Sequence, residues 1–171
     1  MRHEKLEPAQ LSRELREGTS PELTRRRWTV GLSFAGSAIG MLVGAYQTGM
    51  LKRLPDVLPG RLFDAEKVDG SDYAYKRMQT PDALLMAVTY GITAALAGAG
   101  GGDRARQTPA LPIAAAAKAG YDLVTAVRLG REEWAENKAL CSWCQLATLI
   151  SAVTAALTIP EALRAAKALR A

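Results

Sequence analysis

The sequence predicts an all-α fold, a four-helix transmembrane bundle with a polar external loop between its first and second spans. Three observations carry that prediction. Charge-free apolar runs cover Trp28–Leu51, Ala83–Gly102 and Ala139–Pro160. A fourth apolar segment, Pro109–Leu129, is interrupted by Lys118, Asp122 and Arg128. The connectors between these segments are densely charged, so the mean hydropathy near zero averages two very different kinds of sequence.

With 171 residues the chain has room for one domain. Its expected parts are a charged cytoplasmic leader over 1–27, the transmembrane domain over 28–163, and a basic cytoplasmic tail over 164–171. Met1–Arg27 carries charge of both signs and is not expected to be a cleaved signal, so Trp28 opens a retained span. Within the leader, Ser20-Pro21-Glu22 has the form of a helix start and predicts a short surface helix.

Span one is bounded by Arg25–Arg27 and by Lys52-Arg53. Its 24 residues reach about 36 Å, enough to cross a hydrocarbon core of about 30 Å with some tilt. Gly36, Gly40 and Gly44 recur every fourth residue, a row of small residues against which a neighbouring helix can pack closely. Lys52–Gln79 is polar, broken by Pro55, Pro59 and Gly60, and belongs outside lipid as a loop with one short surface helix.

Thr80-Pro81-Asp82 predicts the start of span two, with Thr80 as N-cap, Pro81 at the first helical position and Asp82 in the first turn. Asp103–Arg106 is a tight connector. In the third segment Lys118 and Asp122 are four apart and can pair, which lets this helix sit in the bundle interior despite its charges. Arg131–Lys138 is a second charged connector before span four. Four spans put both termini on one side. Lys and Arg number twelve in the leader, the 103–108 connector and the tail, against nine in the other two connectors. With Arg25–Arg27 beside the first span, both termini are expected in the cytoplasm and the start of span four outside.

Basic residues exceed acidic ones by 22 to 17, but they are scattered and form no stripe with aromatics, so no nucleic-acid partner is expected. Two cysteines and one histidine, His3, are too few for a structural zinc site, and no metal is expected. Cys141-Ser142-Trp143-Cys144 opens span four, with both sulfurs on one helix face and within reach of a disulfide. Two readings stand: a redox dithiol whose Cys141 thiolate is favoured by the helix N-terminus and Lys138, or two small thiols packed in a core. For a redox pair without a nucleotide fingerprint or haem ligands, a lipid-soluble quinone is the economical electron acceptor.

From about Trp28 to Leu163 the chain resembles the vitamin K epoxide reductase family. The resemblance rests on a first span, the loop stretch Lys67-Val68-Asp69-Gly70-Ser71-Asp72-Tyr73, the helix start Thr80-Pro81-Asp82-Ala83-Leu84-Leu85, and the CxxC. It implies a four-helix bundle around a quinone (menaquinone or ubiquinone) in a bacterial inner membrane, with the CxxC on the periplasmic side. Cys144 would face the quinone, Cys141 would exchange with thiols, and both would be catalytic. Asp82 stands where the family often has a quinone-binding Asn, and Thr148 where it has a ring-facing Tyr. The family's two further loop cysteines are absent, with Ala65 about where the second would be, and no fused thioredoxin-like domain is expected. The implied function is thiol–quinone oxidoreduction supporting disulfide formation, with a separate thioredoxin-like dithiol protein as electron donor. The competing reading is a non-enzymatic membrane bundle that binds quinone or lipid, or a subunit of a larger complex.

Overall fold

The computed structural model describes residues 7–170, so His3 and the first six residues of the leader lie outside the described residues. Among the described residues seven α-helices follow in order: α1 Pro8–Glu17, α2 Pro21–Gln47, α3 Ala65–Asp69, α4 Asp82–Gly98, α5 Arg104–Gln107, α6 Ala110–Asn137 and α7 Ser142–Ala168. A 3₁₀ turn, Asp72–Tyr75, joins α3 to the segment before α4. Among the described residues β pairing is confined to one isolated parallel bridge, Phe63 to Leu140.

Three helices, α2, α6 and α7, are long and apolar enough to cross a membrane. The fourth apolar helix, α4, has 17 residues and a length of about 25 Å. The four long helices pack in the cyclic order α2, α4, α6, α7, each on two neighbours. Their composition is turned inside out relative to a soluble core. Trp28, Phe34, Val88, Ile92, Val124 and Leu149 point outward, while Ser33, Thr93, Ser151 and Thr154 are buried. Small and hydroxyl residues inside with large apolar ones outside is the arrangement expected of helices that pack in lipid.

The glycine row of α2 forms the seam with α4. A Cβ on Gly36 would lie 2.6 Å from the Tyr90 ring, on Gly40 2.8 Å from the Ala83 carbonyl oxygen and the Ala87 nitrogen, and on Gly44 2.6 Å from Leu84. Across the same seam Ser37 donates to the Ala87 carbonyl at 3.1 Å. The Lys118–Asp122 pair also forms as the spacing predicts, at 2.6 Å, and is buttressed from α4 by the Thr89 carbonyl and the Thr93 hydroxyl.

Several boundaries differ from those expected. Ser20 does cap a helix, accepting from the Leu23 N–H at 3.3 Å, but that helix is α2 itself, which runs unbroken from Pro21. The expected division at 27/28 therefore falls inside α2, and that at 163/164 inside α7. Residues 131–137 continue α6 instead of forming a connector, since Arg128 pairs with Glu132 along the helix and Glu133 turns inward; Lys138, at φ 50°, ends it. At α4 the N-cap is Pro81, not Thr80. Met78 and Gln79 both take left-handed φ values, and the Thr80 hydroxyl turns back on the Met78 carbonyl. The Ala83 N–H is met by the Gln47 side-chain oxygen at 3.2 Å.

The helix expected as span two also stops short of Gly102. The chain leaves the helix after Gly98, with Gly100 at φ +79°, and the freed carbonyls wrap around two buried arginines. Arg26 donates to the carbonyls of Ala97, Gly98, Ala99, Gly100 and Gly101. Arg104 donates to those of Leu96, Ala97 and Ala99 and makes a two-pronged pair with Glu161. Together with the Arg164–Glu22 pair these bonds tie the starts of α2 and α5 to the ends of α4 and α7 at one end of the bundle. The CxxC, the 51–75 segment and the start of α4 gather at the other.

Candidate functional site: the dithiol and its cavity

Cys141 is the N-cap of α7 and not part of its first turn; its sulfur accepts the Cys144 N–H at 3.2 Å. Both cysteines are free thiols. Cys141 is completely buried, in a cluster with Val43, Leu54, Ala65, Val68 and Ala83. The segment before α3 is stapled over it. Asp56 accepts from the Ala65 N–H at 2.8 Å and the Ser142 N–H at 3.1 Å, Ser142 in turn accepts from the Val57 N–H at 3.0 Å, and the Trp143 indole donates to the Pro55 carbonyl at 3.0 Å. The Phe63–Leu140 bridge closes the cover, with the Leu140 N–H on the Leu62 carbonyl and the Asp64 N–H on the Leu140 carbonyl.

Two carboxyl groups that the sequence reading did not single out lie against the dithiol. One Asp69 oxygen and the sulfurs of Cys141 and Cys144 all lie within 4.8 Å of one another. Three donors fall one short of the four ligands of a structural zinc site. Glu133, on the last turns of α6, accepts from the Cys141 N–H at 3.3 Å and from the Gln145 side chain at 3.4 Å. Gln47, at the end of α2, links Asp69 to Asp82 by donating to both, at 3.3 and 2.8 Å. Burial pushes the Asp69 carboxyl up to about 7, against opposing hydrogen bonds from Cys141 and Gln47. For Cys141 the contact with Cys144 favours the thiolate, but burial and Asp69 outweigh it and the net direction is upward. The expected thiolate-stabilising helix N-terminus is therefore overridden by its surroundings.

Cys144 faces the other way, onto a cavity of about 230 Å³ between α4, α6 and α7. Asp82 and Thr148 line the same cavity, so three of the four residues singled out from the sequence meet there, while Cys141 is not among its lining residues. Asp82 also accepts from Arg77 at 3.4 Å, and Arg77 pairs with Glu132 at 2.7 Å and stacks over Tyr73 at 5.0 Å. The Thr148 hydroxyl donates to the Cys144 carbonyl at 2.9 Å and is committed to its own helix. Tyr90, missed in the sequence, lines the wall with its hydroxyl on the Ala147 carbonyl and Ser151. The rest of the lining mixes apolar side chains, including Leu85, Met86, Ala126 and Leu129, with Thr89, Asp122, Thr125 and Glu133.

A scan against protein families matches the chain to the vitamin K epoxide reductase family over residues 27–159. The chain belongs to the vitamin K epoxide reductase family. Members are oxidoreductases that use quinone and a thiol partner. With three helices of spanning length, this member is an integral membrane protein. Comparisons with curated proteins and with solved structures return no significant match. The family match runs from the end of the leader to the middle of α7, so it takes in the loop cover, the cavity and the dithiol, and leaves α1 outside.

Of the site residues not singled out in the sequence, two nonetheless carried a signal there. Gln47 is a lone strongly polar side chain in an otherwise apolar span, a position that marks function or helix pairing. Asp69 lies inside the loop stretch that carries the family resemblance. Glu133 was hidden in a charge run that reads as solvated connector.

Proposed function

We propose that this protein is a membrane thiol–quinone oxidoreductase that supports disulfide formation. A separate thioredoxin-like dithiol protein reduces the Cys141–Cys144 disulfide, and a quinone accepts the two electrons and two protons. The observation that carries this reading is the division of the two sulfurs. Cys144 opens onto the cavity with Asp82 and Thr148, and Cys141 lies off that cavity, under the loop cover.

The cavity fits the acceptor. Whole-ligand sites run to roughly 300–1,000 Å³, and about 230 Å³ suits the ring of a menaquinone or ubiquinone with its tail in lipid. Most of the exposed wall surface is apolar, which suits a neutral ring, and Arg77, Asp82, Asp122 and Glu133 are among the polar groups that line it. Asp82 has both oxygens occupied as acceptors, so its role is to position Arg77, which lines the cavity and has N–H groups to offer a quinone oxygen. Thr148 contributes shape. Cys144 hands electrons across the wall, and Cys141 exchanges with the partner dithiol. With no loop cysteines to relay electrons, the partner must reach Cys141 itself once the cover lifts.

In the membrane we place α4 as the fourth span, both termini in the cytoplasm and the CxxC end in the periplasm of a bacterial inner membrane. The short α4 supports this by ending in a sleeve of carbonyls that Arg26 and Arg104 satisfy, which extends its neutralised length toward the charged end. The domain reading keeps 28–163 as the functional bundle.

The test is quinone reduction by the purified protein in lipid discs, driven by an added dithiol. Wild type turns over, and Cys144→Ser falls by at least a thousandfold. Turnover that survives the substitution overturns the mechanism. Quinone binding without turnover selects the non-enzymatic scaffold instead.

A further inference from the structure

We propose that Asp69 is the proton carrier of the dithiol, accepting the proton that Cys141 releases as the disulfide forms and returning it when the disulfide is reduced. This rests on the thiol–quinone reading above and assigns a role that reading leaves empty. A dithiol that becomes a disulfide must lose two protons as well as two electrons, and Cys141, being wholly buried, has no contact with bulk water.

The geometry points to Asp69 on three counts. Its carboxyl oxygen lies within 4.8 Å of both sulfurs. The side chain is 3 % exposed, and Oδ2 has no hydrogen-bond partner, so a position for a proton is open. The other oxygen, Oδ1, is steadied by Gln47 at 3.3 Å, which Asp82 and the Ala83 N–H hold in turn. The carboxyl is fixed at the backbone too. It ends α3, whose first turn is capped by Asp64, and the following residue is Gly70, where a Cβ would collide with the Glu66 carbonyl at 2.7 Å.

Its surroundings set the titration. Asp56 from the cover, Asp82 from α4, Glu133 from α6 and the thiols of Cys141 and Cys144 from α7 bear on it, while α2 presents the neutral Gln47 and the Tyr46 phenol. Arg77 is engaged by Asp82 and Glu132, and among the described residues no salt bridge reaches Asp69. A carboxyl buried among acids and thiols holds its proton to near neutrality, and burial puts this one at about 7. That is the range in which a group both gives and takes a proton.

The step balances. The S–H bonds of Cys141 and Cys144 break and one S–S bond forms. The electron pair leaves through Cys144 to the quinone. The Cys144 proton follows it on the cavity side, where Glu133 shares the wall, and a second proton from water completes the hydroquinone. The Cys141 proton stays on Asp69 until the disulfide is reduced. Reduction by the partner dithiol runs the Cys141–Asp69 transfer backward.

The experiment is single-turnover oxidation of the pre-reduced full chain in lipid discs by a soluble quinone, from pH 5.5 to 9, for wild type, Asp69→Asn and Asp69→Glu. The wild-type rate rises through an inflection near pH 7. Asp69→Asn is slower by about a hundredfold and loses the inflection, and Asp69→Glu recovers the inflection in part. Unchanged helicity and quinone affinity in Asp69→Asn separate the loss from misfolding. If wild type oxidises and Asp69→Asn keeps its rate and pH profile, the carrier role is overturned while the oxidoreductase stands. If wild type does not react with quinone at all, the parent reading fails. The carrier role is then judged by alkylation of Cys141 against pH, which must shift in Asp69→Asn or the role falls too.

Discussion

At the scale of single residues, Asp69 has a thermodynamic signature that does not depend on catalysis. Its ordinary pKa is 3.8 and burial lifts it to about 7 in the folded chain. Below pH 4 the carboxyl is protonated folded or unfolded and costs nothing. Between about 4 and 7 the unfolded chain ionises and the folded one does not, so stability falls as pH rises, and above 7 the loss is complete. An Asn at 69 keeps the shape and cannot ionise. Asp69→Asn should therefore match wild type in thermal unfolding near pH 4 and exceed it at pH 8, by on the order of 4 kcal/mol. A stability gap that stays constant between the two pH values would show that no buried proton is held there. The position was visible in the sequence as part of a loop stretch with family character. Its chemistry was not, because it depends on α3 folding back against a helix start more than 70 residues later in the chain.

At the scale of elements, the helices were legible where a physical pattern repeats. The Gly36–Gly40–Gly44 row announced a close helix contact, and the contact is α4. The Lys118–Asp122 spacing announced an internal pair, and it forms. What failed were boundaries set by charge. Arg131–Lys138 looked like a connector because charge in water and charge on a helix end read alike, and only the packing of Glu133 against Cys141 distinguishes them. Likewise the run Gly98–Gly102 looked like helix because nothing in it signals the arginines that claim its carbonyls. The seam offers a clean mutational contrast. Gly40→Ala sets a methyl 2.8 Å from backbone atoms of Ala83 and Ala87, so α2 and α4 must part. It should destabilise the protein by about 1–3 kcal/mol. Gly31, on the same helix, has open space where its Cβ would be, and Gly31→Ala should be neutral or stabilise by about 1 kcal/mol. Thermal unfolding in lipid discs measures both, and equal effects at the two sites would rule out the seam as a tight contact.

At the scale of the whole molecule, the fold separates its tasks by end. One end is locked by Arg26, Arg104, Glu161 and the Arg164–Glu22 pair, a set of buried or half-buried charges whose partners cannot be exchanged without cost. The other end holds Cys141 beneath a cover fastened by a handful of hydrogen bonds from a segment with exposed Val57, Leu58 and Leu62. Segments with few buried apolar contacts open locally at a fraction of the global unfolding cost, so motion belongs at this end. Asp56 is the pin, since its two oxygens hold α3 and the start of α7 at once. Hydrogen bonds to a charged group contribute about 1.5–3 kcal/mol each, and removing two without disturbing the apolar cluster should make opening at least ten times more frequent. Asp56→Ala in the reduced protein should therefore raise the rate of Cys141 alkylation by a membrane-impermeant maleimide tenfold or more. Cys144, which opens onto the cavity instead of the cover, should react at its wild-type rate, as read by mass spectrometry of the labelled chain. Equal acceleration at both sulfurs would mean that the bundle end as a whole had loosened, and no acceleration at either would mean that the cover is not what keeps Cys141 from its thiol partner.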